Sequence, residues 1–104
     1  MLKIEIQHFE GCPNSAEMIA RVKATIKECK NQIDYKEIFV ETTEEAERIK
    51  FRGSPTILIN GIDLENMPEP QGGNLACRYY KNGLPTVEQI KAFIYNQLKK
   101  KEKI

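Results

Sequence analysis

The chain has 104 residues, 40% of them apolar and 30% charged, which is enough for one hydrophobic core and too few for two. Sixteen basic residues against fifteen acidic leave a formal charge of +1, so no overall field draws in a polyanion or an anionic membrane, and a nucleic-acid partner is not expected. No run of 18 apolar residues exists, and the charge-alternating start Met1-Leu2-Lys3-Ile4-Glu5 lacks the apolar core of a signal peptide, so the expectation is one cytoplasmic domain over residues 1–104 with no membrane partner.

Leu2, Ile4 and Ile6 alternate with Lys3, Glu5 and Gln7, which predicts a strand ending near His8. From Pro13 to about Lys30, the spacing of Ile19, Val22, Ile26 and Cys29 predicts a helix with one buried face. Pro13 suits the first helical position, which makes Cys12 the cap; in a competing register Asn14 is the cap, with Glu17 three residues on. In both registers the sulfur of Cys12 falls at the first turn.

Ile33 to Val40 reads as a second strand, and Thr42-Thr43-Glu44-Glu45 as a capping box opening a short helix through about Lys50. Pro55 to Ile59 is expected as a third strand that begins at a proline, where no ladder N–H is needed. Asn60-Gly61 favours a type I′ turn, so Ile62-Asp63-Leu64 should return antiparallel. Glu65 to Asn74, with Pro68, Pro70, Gly72 and Gly73, is a loop serving as a lid or left disordered. Ala76 to Tyr80 either extends the sheet edge or forms a short irregular segment. Thr86 and Gln89 make another capping box, and Val87, Ile90, Phe93, Ile94 and Leu98 stripe the last helix, whose end carries Lys99, Lys100, Lys101 and Lys103 as a solvated basic cluster.

The order β-α-β-α-β-β-α predicts an α/β fold: a four-stranded mixed sheet with three helices, the first two strands parallel. A strand leading to Cys12-Pro13 at a helix start, followed by Ser54-Pro55-Thr56 opening a later strand before a hairpin, resembles the thioredoxin and glutaredoxin superfamily over nearly the whole chain. Phe9-Glu10-Gly11-Cys12-Pro13-Asn14, Phe51-Arg52-Gly53-Ser54-Pro55-Thr56 and Cys77-Arg78-Tyr79-Tyr80 are similar to a group of small prokaryotic thioredoxin-like proteins often labelled alkylmercury lyase-like. The resemblance implies that Cys12 is the nucleophilic cysteine and that Pro55 is held cis opposite it, with Pro13 and Ser54 beside the substrate. Where the superfamily has Cys-x-x-Cys, this chain has Cys12-Pro13-Asn14-Ser15, without the second thiol.

Three cysteines are too few for a disulfide framework. A helix N-terminus stabilises a thiolate, which marks Cys12 as reactive. Cys29 continues an apolar stripe and reads as packing. Cys77 stands beside Arg78 after the loop; folded back over the helix start, it would resolve a mixed disulfide on Cys12. His8, the sole histidine, shares the phase of the inward strand residues and reads as packed, or else as a base or as completing a soft-metal set with Cys12 and Cys77. Arg52 and Arg78 either hold a substrate carboxylate or are ordinary surface charge. The leading expectation is thiol–disulfide exchange at Cys12 with a protein or low-molecular-weight disulfide, resolved by Cys77 or an external thiol, with no cofactor and no resident metal. The alternatives are soft-metal or organomercurial binding by the thiols, and a non-catalytic module that holds an extended peptide along the Pro55 groove.

Overall fold

The computed structural model describes residues 2–27, 29–73 and 75–102; Lys103 of the basic cluster and Asn74 at the end of the expected loop lie outside the described residues. The elements run β1 (Leu2–His8), α1 (Ser15–Ile26), a single 3₁₀ turn (Lys30–Gln32), β2 (Ile33–Phe39), α2 (Thr43–Ile49), β3 (Thr56–Ile59), β4 (Ile62–Asp63) and α3 (Val87–Glu102). The four strands form one mixed sheet in the order β2-β1-β3-β4. β1 runs parallel to β2, with Leu2 opposite Ile33 and His8 opposite Phe39, and antiparallel to β3, with Ile6 opposite Ile57. No helix among the described residues is long and apolar enough to cross a membrane.

Alternation in β1 decides which face of the sheet is dry. Leu2, Ile4 and Ile6 point into a core completed by Ile57 and Ile59 of β3, Met18, Val22 and Ile26 of α1, and Ile90 and Ile94 of α3. Each such aliphatic side chain contributes about 1.5–3 kcal/mol by leaving water. Ile38, of opposite phase in β2 to Ile33 and Tyr35, joins a smaller cluster of Val40, Ala46 and Phe51, so α2 covers the other face.

Several expected boundaries move. α1 starts at Ser15 rather than Pro13, because the Ser15 N–H bonds the Cys12 carbonyl at 3.3 Å in a turn that precedes the helix. Asn14 is the cap residue, but its side chain caps nothing, and Glu17 pairs instead with Arg21 at 2.9 Å one turn on. The helix ends at Ile26, where Cys29 N–H bonds the Ile26 carbonyl at 3.0 Å and tightens the chain toward the 3₁₀ turn. Cys29 therefore lies outside the helix, half-buried against the main core as a packing residue. β3 starts after Pro55, and β4 stops at Asp63, whose carboxylate turns to accept the Glu65 and Met67 N–H groups, each at 3.0 Å.

Other local signals appear as read. Asn60 and Gly61 take positive φ values of 53° and 79° at the hairpin. Thr42 accepts the Glu45 N–H at 3.1 Å, which is one half of the capping box expected there. At α3, Thr86 Oγ1 accepts the Gln89 N–H at 3.1 Å while Gln89 Oε1 accepts the Thr86 N–H at 2.8 Å, the reciprocal capping box. Thr86→Ala should therefore lower stability by about 1 kcal/mol in denaturant titration; an unchanged midpoint would show that α3 is held by its apolar face alone.

Candidate functional site

The chain after β1 turns through Gly11 to bring Cys12 beneath the start of α1, where it is 9% exposed. Its thiol donates to the Ser54 carbonyl at 3.4 Å. Ser54 is fully buried, and the peptide bond joining it to Pro55 is cis. The Ser54 hydroxyl accepts the Phe9 N–H at 3.2 Å and lies 3.3 Å from the hydroxyl of Ser15. Two segments distant in sequence, residues 9–15 and 54–55, thus meet around one sulfur.

The third segment is that of Cys77. Ala76 to Tyr80 is irregular apart from a single parallel bridge between Ser54 and Cys77, in which Ser54 N–H bonds the Ala76 carbonyl at 3.0 Å and Arg78 N–H bonds the Ser54 carbonyl at 2.9 Å. The bridge brings the Cys77 segment to the same Ser54 carbonyl that receives the Cys12 thiol, and each cysteine shifts the titration of the other. Burial pushes the Cys12 thiol up, but hydrogen bonding to its thiolate from Ser54, Ser15, the Asn14 backbone and Cys77 outweighs burial, and the net shift is downward. Cys77, exposed to solvent, moves the other way, through local desolvation, the negative charge of Cys12 and donation of its proton toward that charge.

Gly53 makes the close approach possible. Its φ is +106°, and a Cβ there would stand 2.8 Å from Arg78 Cβ and 3.0 Å from Arg78 Cα. Gly73 does the same for the preceding loop, since a Cβ on it would meet the Thr43 carbonyl of α2 at 2.1 Å.

Arg78 is neither surface charge nor an open fork. Its side chain is 3% exposed, with Nη1 and Nη2 donating to the two oxygens of Asp63 at 2.6 and 2.9 Å. Nη1 also reaches Thr56 Oγ1 at 3.3 Å, and the guanidinium lies 4.7 Å from the centroid of the Tyr80 ring, whose hydroxyl donates to the Pro55 carbonyl. Burial raises the Asp63 carboxyl, but the Arg78 hydrogen bonds and the Met67 and Glu65 N–H groups hold it, on balance, below its ordinary value. This buried pair pins the Cys77 segment to the β3–β4 hairpin.

The other expected residues are placed as follows. Pro13 is exposed beside Cys12. Arg52 is half-buried, donates through Nε to the Met67 carbonyl at 2.9 Å, and lines with Cys77 a groove of about 340 Å³. His8 packs edge-on against Phe39 at 5.1 Å. No group of three or more His, Cys, Asp or Glu side chains placed to share a metal ion is found among the described residues, so His8 does not complete a set with the two thiols. Sequence reasoning passed over the roles of Ser15, Asp63 and Tyr80. For Asp63 no local signal existed: alternation with Ile62 and Leu64 puts a carboxylate on the solvent side of a returning strand, whereas here Asp63 is buried and Ile62 is exposed.

Comparison of the chain with family models, curated proteins and solved structures returned no match.

Breaking the buried pair one-sidedly leaves an uncompensated charge, so Arg78→Met should cost about 3–5 kcal/mol, and the double variant Arg78→Met with Asp63→Leu should recover most of it. Because Asp63 titrates lower in the fold than in the unfolded chain, the pair stabilises fully above the unfolded value of about 3.9, and that contribution is lost as pH falls from there through the folded value. The double variant should show a shallower loss of stability with acid over that window. Equal acid slopes in wild type and double variant would contradict the assignment.

Proposed function

We propose that this chain is a thioredoxin-like thiol–disulfide exchange protein of the cytoplasm that works through Cys12 and Cys77. The observation that carries the reading is that one buried residue, Ser54, receives the Cys12 thiol on its carbonyl and is bridged to Cys77, so that the two cysteines meet at the same point. The element order, the cis Ser54–Pro55 bond beside the sulfur, and the placement of Cys12 just before α1 support the thioredoxin-like reading. Cys77 supplies from a distant segment the second thiol that Cys12-Pro13-Asn14-Ser15 lacks. In the net reaction an external disulfide, from a protein or a small molecule, takes two electrons and two protons and leaves as two thiols, while Cys12 and Cys77 become one disulfide. The protein's own groups stabilise the Cys12 thiolate and hold the second sulfur in place, and no cofactor is required.

The same two sulfurs support a second reading, two-coordinate capture of a soft metal ion as substrate. Cleavage of a carbon–mercury bond would further need a proton donor beside the thiols; Ser15 fills the nearest helical position, and the carboxylate of Asp63 is committed to Arg78. An extended peptide on the Pro55 edge is less well supported, because residues 76–78 already take both backbone groups of Ser54.

The test is glutathione-coupled reduction of a small aliphatic disulfide by purified protein. Wild type should turn over, and Cys12→Ser and Cys77→Ser should each lower turnover by about tenfold or more. Full turnover in Cys77→Ser would leave a one-thiol mechanism at Cys12, and full turnover in Cys12→Ser would end the reading of Cys12 as a working thiol.

A further inference from the structure

We propose that external thiols and disulfides meet this pair at Cys77, and that Cys12 is the internal partner which closes on Cys77 and departs from it. This rests on the two-thiol reading above and reverses the order of attack that the Cys12-Pro13 motif implies.

Access is the first ground. Cys12 is 9% exposed and is roofed by Ser54, at 0%, and Ser15, at 8%. Cys77 is exposed, and the groove of about 340 Å³ beside it is lined by Phe51, Arg52, Met67, Pro68 and Ala76 together with Cys77, whereas Cys12 is not part of its wall. In-line attack on a disulfide requires an approach along the S–S axis from the side of the sulfur attacked. The solvent side of a Cys12–Cys77 bond is the Cys77 side.

Leaving-group chemistry is the second. An attack on Cys77 expels Cys12, whose thiolate is received by the Ser54 and Ser15 hydroxyls and the Asn14 backbone; an attack on Cys12 would expel Cys77, which has no comparable set of donors. Exchange is faster when the departing sulfur is the better stabilised anion.

In the oxidised chain an external thiolate forms a bond to Cys77 Sγ, the Cys12–Cys77 bond breaks, and the electron pair stays on Cys12 as thiolate. A second external thiolate attacks the sulfur of the first adduct, forming an external disulfide and leaving Cys77 reduced. In the reverse direction the Cys12 thiolate takes the proton of the facing Cys77 thiol, Cys77 attacks the external disulfide and expels one thiolate, and Cys12, having passed its proton to solvent, attacks Cys77 and expels the other. No further oxidant or reductant enters.

The experiment uses glutathione as the external thiol. Wild-type protein oxidised to the Cys12–Cys77 disulfide is mixed with reduced glutathione, quenched in acid at early times, and mapped by peptide mass. The expected result is glutathione on Cys77 in about tenfold or greater excess over Cys12, with the same Cys77 adduct accumulating stably in Cys12→Ser treated with glutathione disulfide. Adduct mainly on Cys12, with Cys77 released, overturns this inference and leaves the two-thiol reading standing. Failure of the oxidised chain to form the Cys12–Cys77 bond at all overturns both.

Discussion

The site depends on how Ser54 satisfies its polar atoms in an interior that water does not reach. Its N–H and carbonyl are bonded to Ala76 and Arg78, its carbonyl also receives the Cys12 thiol, and its hydroxyl receives Phe9 N–H and faces Ser15. A buried polar group left unpaired costs about 1–3 kcal/mol, so the segments that satisfy Ser54 are drawn to the same point. Those segments carry Cys12, the start of α1, and Cys77.

Around that hub, the packing is conventional and the electrostatics are not. The apolar contacts of β1, β3, α1 and α3 fix the sheet and the two helices, but of residues 76–80, which have no strand or helix of their own, they take in only Tyr80, and the stretch before it must be placed otherwise. The Arg78–Asp63 pair does this, assisted by Thr56 and by the hydrogen bond from Tyr80 to the Pro55 carbonyl. A buried ion pair adds little net stability compared with well-packed apolar side chains. Here it fixes position: Arg78 immediately follows Cys77, so where the guanidinium is anchored, the thiol is anchored as well. The same pair brings charge into the interior that must stay compensated, which ties the site to the β3–β4 hairpin.

Much of the fold was legible because short-range rules carried it. The alternation of Leu2, Ile4 and Ile6, the Asn60-Gly61 turn and the Thr86–Gln89 box each depend on neighbours within a few residues, and each appears where it was read. Of the two registers open for the start of α1, the one with Asn14 as cap holds, because Pro13 fits a turn before a helix as well as the first helical position. Cys12 and Ser54-Pro55 could be singled out by motif, but the partners that tune the sulfur could not, since Ser15, Ser54 and Cys77 are joined by contacts spanning some forty and twenty residues of chain. Arg78 was placed on the surface or against a substrate because no local pattern reveals an ion pair formed with Asp63 across the loop.

The central claim is that a buried shell of hydroxyl and amide donors holds Cys12 toward its thiolate despite burial, and the most direct measurement is the pH titration of its ultraviolet thiolate absorbance in wild type and in Ser54→Ala. Cys12 should titrate below the ordinary thiol value of about 8.5, and removing the Ser54 hydroxyl should move it upward. A Cys12 that titrates at or above that value in wild type, or that is unmoved in Ser54→Ala, would mean that burial outweighs the donors and that the sulfur is a packed thiol.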